Sequence, residues 1–121
     1  MNQKIGIKDE LASRNALRLV RCIYGLSPSS VDVLWTLISS ERPMIANEIA
    51  QHLQMPKVSI SLSLKRLYEF GLIERRHRRD NGVKRGKGRF QFEYYVDKLR
   101  FMQKLWNDME SKYREMYTSD F

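Results

Sequence analysis

The stretch from Ala46 to Arg76, "ANEIAQHLQMPKVSISLSLKRLYEFGLIERR", decides the fold of this chain. Its first part predicts a short helix, because apolar residues recur there with helical spacing. These residues are Ile49, Ala50 and Leu53, together with Ile45 directly before the stretch. The segment Gln54-Met55-Pro56 then interrupts the pattern, and Pro56 suits the first turn of a new helix, where its missing N–H is not needed.

The second helix of the stretch is predicted from Ile60, Leu64 and Leu67, whose spacing points the three side chains inward together. Gly71 is placed to end it as a C-terminal glycine. Two helices joined by a turn of about three or four residues form a helix-turn-helix unit.

Two further helices are predicted before this unit. Apolar periodicity from Lys8 to Tyr24, ended by Gly25, predicts an N-terminal helix over residues 8–24. The next segment predicts a helix that is capped by Ser29 or Ser30 and places Trp35 in the core.

A β-hairpin is predicted after the helix-turn-helix. "LIERRH" and "RFQFEYYV" are extended in character, and Phe90, Phe92 and Tyr94 alternate with polar or exposed neighbours, as expected of a strand with one buried side. Asn81-Gly82 lies between the two runs and is a strong hairpin signal. Gly86 and Gly88 predict a longer, mobile tip.

The positive charge of the chain is concentrated in one window. In "RRHRRDNGVKRGKGR", from Arg75 to Arg89, eight of fifteen residues are Arg or Lys. Residues 57–89 hold eleven basic and three acidic residues, a net charge of +8, which equals the net charge of the whole chain. This pattern indicates a surface for a polyanion, and a solvated charged loop is the alternative.

A long C-terminal helix is predicted over residues 96–117, because its apolar residues are separated alternately by three and four positions. They are Leu99, Met102, Trp106, Met109, Tyr113 and Met116. A helix of roughly 33 Å is too long to cover this stripe against so small a core. We therefore expect a homodimer interface built by both terminal helices; packing against the chain's own N-terminal helix is the alternative.

Several classes of function are disfavoured. The sequence shows no set of nucleophile, base and orienting group, and no metal-ligand spacing, so we predict neither an enzyme nor a metal or cofactor site. No secretory signal and no apolar run of about 20 residues is seen, which favours a cytoplasmic protein without a membrane segment. Cys22 lies on the terminal helix that is expected at the dimer interface, and it is expected to be a small apolar residue buried there; a redox-sensing thiol is the alternative.

The same stretch resembles the winged helix-turn-helix of MarR/TrmB-type transcription regulators. The resemblance covers residues 26–96 and rests on Ile49-Ala50 with Leu53, on Val58 to Ser61, and on "GLIERR" from Gly71 to Arg76. It implies a mainly α fold with a two-stranded wing, DNA binding, and long terminal dimerisation helices. The whole chain, residues 1–121, then forms a single domain similar to small archaeal regulators.

The chain departs from the family pattern at three positions. Ile45 stands where Ser or Thr usually caps the first helix of the motif, and Gln54 stands in the turn where many relatives have Gly. Leu62 occupies a position of the recognition helix that is often Arg.

The outward residues of the recognition helix are the predicted contacts with double-stranded DNA. Lys and Arg are expected to reach phosphates, and serines to reach base edges or phosphates. Leu62, beside Val58, is expected to contact thymine methyl groups unless it is buried against another element, which predicts an A·T-leaning site. The candidate residues are Lys57, Ser59, Ser61, Leu62, Ser63, Lys65 and Arg66.

The wing is expected to add affinity through its cations, which can contact phosphates or a narrow minor groove. The candidate residues are Arg75, Arg76, Arg78, Arg79, Lys84, Arg85, Lys87 and Arg89. His77 is expected to be an ordinary surface histidine.

The favoured function is that of a homodimeric, sequence-specific DNA-binding transcription regulator acting as a repressor. The alternatives are an architectural, largely nonspecific DNA-binding protein, and a winged-helix interaction module of a transcription complex. The sequence leaves the operator and any small-molecule effector open.

Overall fold

The structure, a computed structural model, describes residues 7–78 and 91–118. In these ranges the chain forms mostly helices and a small antiparallel sheet, in the order predicted for a winged helix. The elements are α1 (Ile7–Tyr24), α2 (Pro28–Ser39), β1 (Met44–Ile45), α3 (Ala46–Leu53), α4 (Lys57–Glu69), β2 (Glu74–Arg78), β3 (Gln91–Tyr95) and α5 (Lys98–Thr118). The predicted winged helix-turn-helix fold is confirmed.

One apolar core lies beneath the helix-turn-helix. Ile60, Leu64 and Leu67 of α4 are buried as their spacing predicts, and they pack with residues from α2, α3 and the segment leading into β2. The fully buried partners are Val33, Leu34, Ile49, Leu72 and Ile73. The orientation of α4 is thus fixed by burial of its inner face.

The cap of α2 differs from the prediction. Ser27, and not Ser29 or Ser30, is the N-cap, and its side chain accepts a hydrogen bond from the Ser30 backbone N–H at 3.2 Å. Pro28 follows at the first helical position, where its fixed φ and missing N–H are well tolerated. The prediction was wrong because the helix begins at Pro28, three residues before Val31, where its apolar stripe starts.

The turn between α3 and α4 forms without its usual residues. Ile45, at the N-cap of α3, has no side-chain acceptor, but the Glu48 carboxylate accepts a hydrogen bond from the Ile45 backbone N–H at 3.0 Å. Gln54 adopts the left-handed conformation at φ 55°, and the N–H of Met55 donates to the carbonyl of Ala50 at 3.0 Å. Pro56 is the N-cap of α4.

Gly71 ends α4, as predicted, at φ 80°. Its N–H donates to the Tyr68 carbonyl at 2.9 Å, and the Leu72 N–H donates to the Leu67 carbonyl at 3.0 Å, which is the Schellman arrangement. A left-handed residue here turns the chain sharply from α4 into β2, so the wing starts beside the recognition helix.

The sheet has three strands, in the order β1-β3-β2, where a two-stranded hairpin was predicted. Met44 pairs with Tyr94, so the chain between α2 and α3 supplies an extra short strand. Its two residues are too few for a period to be visible in the sequence. Phe92 through Tyr95 are all half-buried, so the predicted alternation is also weaker than expected. Residues 79–90, including Asn81-Gly82 and Phe90, lie outside the described ranges.

Helix α5 begins at Lys98, two residues after the predicted start. Asp97 precedes it, and its side chain accepts a hydrogen bond from the Arg100 backbone N–H at 3.2 Å, the geometry of a cap. Phe101 and Leu105 are buried and join the core, and the Tyr24 hydroxyl of α1 donates to Asp108. The helix therefore packs on its own chain through a face that the heptad pattern did not identify.

Two residues expected in the interior lie at the surface of the chain. Trp35 is 37% exposed, because the inner face of α2 is taken by Val33, Leu34 and Leu37. Cys22 is exposed on α1. The prediction for Trp35 was wrong. Burial of Cys22 was expected at a dimer interface, and it stays a prediction.

Candidate nucleic-acid interface

Helix α4 presents an outward face that combines cations with apolar side chains. Val58 is 71% exposed and Leu62 is 64% exposed, four residues apart on the same side of the helix. The alternative of burial against another element is therefore excluded for these two residues in the single chain. The exposed polar residues of this helix among the predicted contacts are Lys57, Ser61, Lys65 and Arg66, and Ser59 is half-buried.

Ser63, a predicted contact, is only 6% exposed. Its hydroxyl oxygen accepts a hydrogen bond from Ser30 at 3.2 Å, and Ser30 in turn accepts one from Ser27. Position 63 lies next to the inner residues Ile60 and Leu67 on the helical wheel, so the small side chain sits where α2 crosses α4. This hydroxyl is engaged inside the protein, and it is no longer a candidate base reader.

An open polar groove of about 360 Å³ runs between α4 and the start of α2. Its lining includes Lys65 and Arg66 of α4 and the N-cap Ser27. The two cations thus stand at the edge of a concave surface on the outer side of α4, and the amino-terminal end of α2 adds partial positive charge there.

Arg75 of β2 is clamped between two aromatic rings. Its guanidinium carbon lies 4.0 Å from the centroid of the Tyr68 ring and 4.1 Å from that of the Phe92 ring. Tyr68 belongs to α4 and Phe92 to β3, so this one side chain connects the recognition helix to the wing. Contacts of this type are electrostatically favourable.

Arg76 and Arg78 share the carboxylate of Glu93 across the β2–β3 ladder. The distances are 2.7 Å from Arg76 Nε and 2.9 Å from Arg78 Nε. These hydrogen bonds hold the pKa of Glu93 below its usual value. Arg76 keeps a largely exposed side chain, whereas that of Arg78 is mostly covered.

Arg78 also reaches Glu48 of α3, at 3.4 Å from Arg78 Nη2 to Glu48 Oε1. The backbone N–H of Ile45 is the main reason that the pKa of Glu48 is lowered, and Arg78 adds to the effect. Glu48 therefore caps α3 and binds the wing at the same time. The guanidinium of Arg78 is occupied by two carboxylates, which makes it a support for the wing more than a free cation.

The remaining wing candidates lie outside the described residues. They are Arg79, Lys84, Arg85, Lys87 and Arg89. His77 is exposed, as predicted, and its ring stacks against Phe92 at 4.8 Å between centroids.

The apolar stripe of α5 is largely open to solvent in the single chain. Leu99 is 76% exposed and Trp106 is 64% exposed, while Met109 is partly covered by the core. The other exposed members are Met102, Tyr113 and Met116.

Several supporting residues were missed by sequence reasoning. The sequence contains a signal for the role of Glu48, because an acidic residue three positions after the N-cap is half of a capping box. Tyr68 and Glu93 had none, because their partners Arg75, Arg76 and Arg78 come close only after β2 folds back beside α4 and β3. Within the described ranges, no cluster of side chains that could hold a metal ion is found, and no helix could span a membrane.

Comparison with known proteins gives one family. The family model described as "Sugar-specific transcriptional regulator TrmB" matches residues 20–96, which span the end of α1, the helix-turn-helix and the wing. No curated protein sequence matches the chain.

Similar solved structures come from archaea and bacteria. A possible transcriptional regulator from Methanosarcina mazei Go1 has a TM-score of 0.69 and 15% sequence identity, and covers 82% of this chain and 80% of that chain. A protein from the thermoacidophilic archaeon Sulfolobus tokodaii has a TM-score of 0.67 and 24% identity, and covers 91% and 99%. A MarR-family regulator from Silicibacter pomeroyi has a TM-score of 0.49 and 19% identity, with coverage of 97% and 81%. The first two establish a shared fold.

Proposed function

The chain belongs to the TrmB family of transcriptional regulators, and from that premise we propose that it is a homodimeric repressor that binds double-stranded DNA in a sequence-specific manner. The proposal treats the whole chain as one domain in which α1 and α5 serve dimerisation. The family is one of regulators, and an enzymatic function is not part of the proposal.

The outward face of α4 is the observation that carries this function. Val58 and Leu62 expose apolar surface on a helix whose neighbouring side chains are cations. Such a combination is unfavourable in water but matches the major groove, where thymine methyl groups lie between two rows of phosphates. Lys57, Lys65 and Arg66 are placed to contact those phosphates, and Ser61 is the exposed hydroxyl that can reach base edges.

The wing is proposed to contact the adjacent backbone or minor groove. The side chain of Arg76 is 59% exposed, and five further Arg or Lys residues follow before β3. Arg75 and Arg78 are proposed to hold the wing at a fixed angle to α4, so that both can meet DNA at once. Preorganisation of this kind lowers the entropy lost on binding.

The homodimer is proposed because the open stripe of α5 has an interface-like composition of methionine and aromatic residues. A two-fold dimer presents one α4 to each half-site, and the half-sites of such operators lie about one helical turn, roughly 34 Å, apart. Repression then requires only that the bound dimer covers promoter DNA, without a further contact to the polymerase.

Selection of bound sites from random DNA tests this proposal. We expect a two-fold symmetric, A·T-leaning motif that retains its preference at 150 mM salt, and run-off transcription from a promoter carrying the motif should fall as protein is added. A set of selected sites without any shared motif would contradict sequence-specific binding, and unchanged or increased transcription would contradict repression.

An architectural DNA-binding protein is the second candidate, and the burial of Ser63 favours it. With Ser63 engaged by Ser30 and Ser59 half-buried, Ser61 is the one fully exposed serine of α4 that can reach base edges. Equal affinity for random duplexes and for the selected motif would establish this alternative.

A further inference from the structure

We propose that the two subunits associate by antiparallel packing of their α5 helices, in the register that places Leu99 of each subunit against the partner subunit's Met116. The inference rests on the homodimer proposed above, and adds its orientation and register. It also assigns an occupant, the end of the partner's helix, to an apolar groove that is open in the single chain.

Two faces of α5 have different partners. Phe101 and Leu105 are buried against the helix's own chain. The open stripe that begins at Leu99 and Met102 lies roughly 100° around the helix axis from them, from 100° of rotation per residue. The stripe is therefore a separate surface beside the intramolecular contact, and packing within the described part of the chain leaves all of it except Met109 largely uncovered.

The carboxyl-terminal end of α5 projects beyond the body of the protein. All residues from Glu110 to Tyr117 are exposed. Three of them, Tyr113, Met116 and Tyr117, are large and apolar, and the rings of Tyr113 and Tyr117 stand 4.9 Å apart. A projecting helix end with clustered aromatic side chains needs a surface to cover it.

The amino-terminal end of α5 borders a groove of about 190 Å³. Trp35 and Ile38 of α2 form one side of it, and Phe101 and Met102 of α5 form the other. Ala16 and Leu17 of α1 and the stem of Lys98 complete the lining. The groove meets the stripe at Met102, so one partner helix can cover both.

Antiparallel packing joins these two features and parallel packing does not. A two-fold axis that passes between Asn107 and Asp108 places each residue of the stripe opposite another stripe residue of the partner helix. The two residue numbers in every such pair have the same sum. The pairs are Leu99 with Met116, Met102 with Tyr113, and Trp106 with Met109. The aromatic end of each helix then lies at the level of the partner's groove, whereas parallel packing leaves both grooves empty.

The helix macrodipoles favour the same orientation. Antiparallel packing places the positive amino-terminal end of each α5 beside the negative carboxyl-terminal end of the partner's helix. Parallel packing would align the two macrodipoles.

Disulfide cross-linking tests the register, in a Cys22→Ser background because Cys22 is exposed. Leu99→Cys and Met116→Cys are made in separate chains. In the proposed dimer, two copies of residue 99 lie about 25 Å apart, from 17 residues at 1.5 Å each, far beyond disulfide reach. Neither variant alone should cross-link, and refolding the two together should give a covalent heterodimer.

A control pair distinguishes cross-links that depend on the proposed register from cross-links formed by chance collision of two chains. Arg100→Cys and Glu115→Cys have the same sum of residue numbers but lie on the side of α5 turned away from the stripe. Their mixture should stay uncross-linked. Cross-linking of Leu99→Cys with itself would show parallel packing, and absence of any stripe cross-link in a dimer would show that α5 is not the interface; either result overturns the proposal.

The mass of the unmodified protein in solution separates failure of this register from failure of the homodimer. A dimeric mass with the wrong cross-links leaves the proposed function intact, whereas a monomeric mass removes both. Coverage of the groove is measured separately by the fluorescence of Trp35, in a Trp106→Phe chain where Trp35 is the sole tryptophan. Tyr113→Ala should increase quenching of Trp35 by acrylamide, and unchanged quenching in a confirmed dimer would show that Tyr113 does not cover the groove.

Discussion

At the scale of single residues, the basic side chains around α4 differ in what holds them. Arg75 lies between two rings, and Arg78 is bound by Glu48 and Glu93. Lys57 and Lys65, by contrast, are exposed on α4. The number of cations in the sequence therefore overstates the number that is available for the proposed phosphate contacts, because some of the charge stabilises the wing.

Replacement of Arg75 by Ala should destabilise the fold as well as weaken DNA binding. Two exposed cation–π contacts at about 0.5–1 kcal/mol each predict a loss of about 1–2 kcal/mol in the free energy of unfolding, measured by urea denaturation. Lys57→Ala is the matched control, since it removes one positive charge from an exposed site and should change stability by less than about 0.5 kcal/mol. Equal stabilities of the two variants would refute the role of Arg75.

The carboxylates at the base of the wing should make stability depend on pH. The pKa of Glu93 and that of Glu48 are both lowered from 4.5 in the folded chain. A lowered folded pKa gives stability that is present above the unfolded pKa and is lost as the pH falls through the folded one. The loss should therefore occur below about pH 4.5, and Glu93→Gln should reduce it. Urea midpoints of the unmodified chain and of Glu93→Gln, measured from pH 6 to pH 3, check this. The same dependence of the midpoint on pH in both proteins would contradict it.

At the scale of elements, α4 has two faces with different requirements. Its inner face is fixed by α2, down to the hydroxyl of Ser63, and its outer face keeps Val58 and Leu62 exposed at a cost in water. The turn before it is also strained, since Gln54 is left-handed without being glycine. The chain tolerates both features because the buried inner face of α4 supplies most of the packing energy.

Leu62→Ala and Ser63→Ala should have different effects, because Leu62 lies on the outer face of α4 and Ser63 on the inner face. Leu62→Ala should reduce discrimination at one A·T position by up to about tenfold in a competition assay, within the range for one base pair. Ser63→Ala should leave sequence preference unchanged. It should also lower the free energy of unfolding by about 1 kcal/mol, since Ser30 loses its acceptor. A change of preference in Ser63→Ala alone would reverse the assignment of the faces.

At the scale of the whole molecule, the excess positive charge and the apolar surface proposed for dimerisation lie in different parts of the chain. Residues 57–89 hold eleven basic and three acidic residues, while α5 offers an apolar stripe. In the proposed dimer the basic windows of both subunits act on one duplex. If each subunit neutralises about four phosphates, affinity should fall by roughly three to five decades between 50 and 200 mM salt.

Removal of wing charge should flatten this salt dependence. Replacing Arg79, Lys84 and Arg85 by Ala should weaken binding to all duplexes alike and reduce the slope of log K against log salt by about 0.9 for each lost contact. The control replaces three exposed arginines of α1 and α5, namely Arg18, Arg21 and Arg114. It removes the same charge elsewhere and should leave the slope nearly unchanged. Equal slopes in the two triple variants would refute the wing contacts.

The described fold was largely readable from local patterns. The spacing of Ile60, Leu64 and Leu67, with Pro56 before them and Gly71 after them, predicts α4 and its inward face. These signals act within a few residues, since helix geometry and turn chemistry are local. The short strand β1 was missed because two residues show no period, and its pairing with β3 is made across the chain.

By itself the sequence determined the helix-turn-helix, the order of the elements other than β1, and the concentration of charge in residues 57–89. Only the tertiary structure decided that Ser63 is buried, that Trp35 and Cys22 are exposed, that Arg75 lies between two aromatic rings, and that Arg78 is bound by two carboxylates. The difference is physical: periodicity states which side of an element is apolar, whereas burial and pairing depend on the other element that packs across from it.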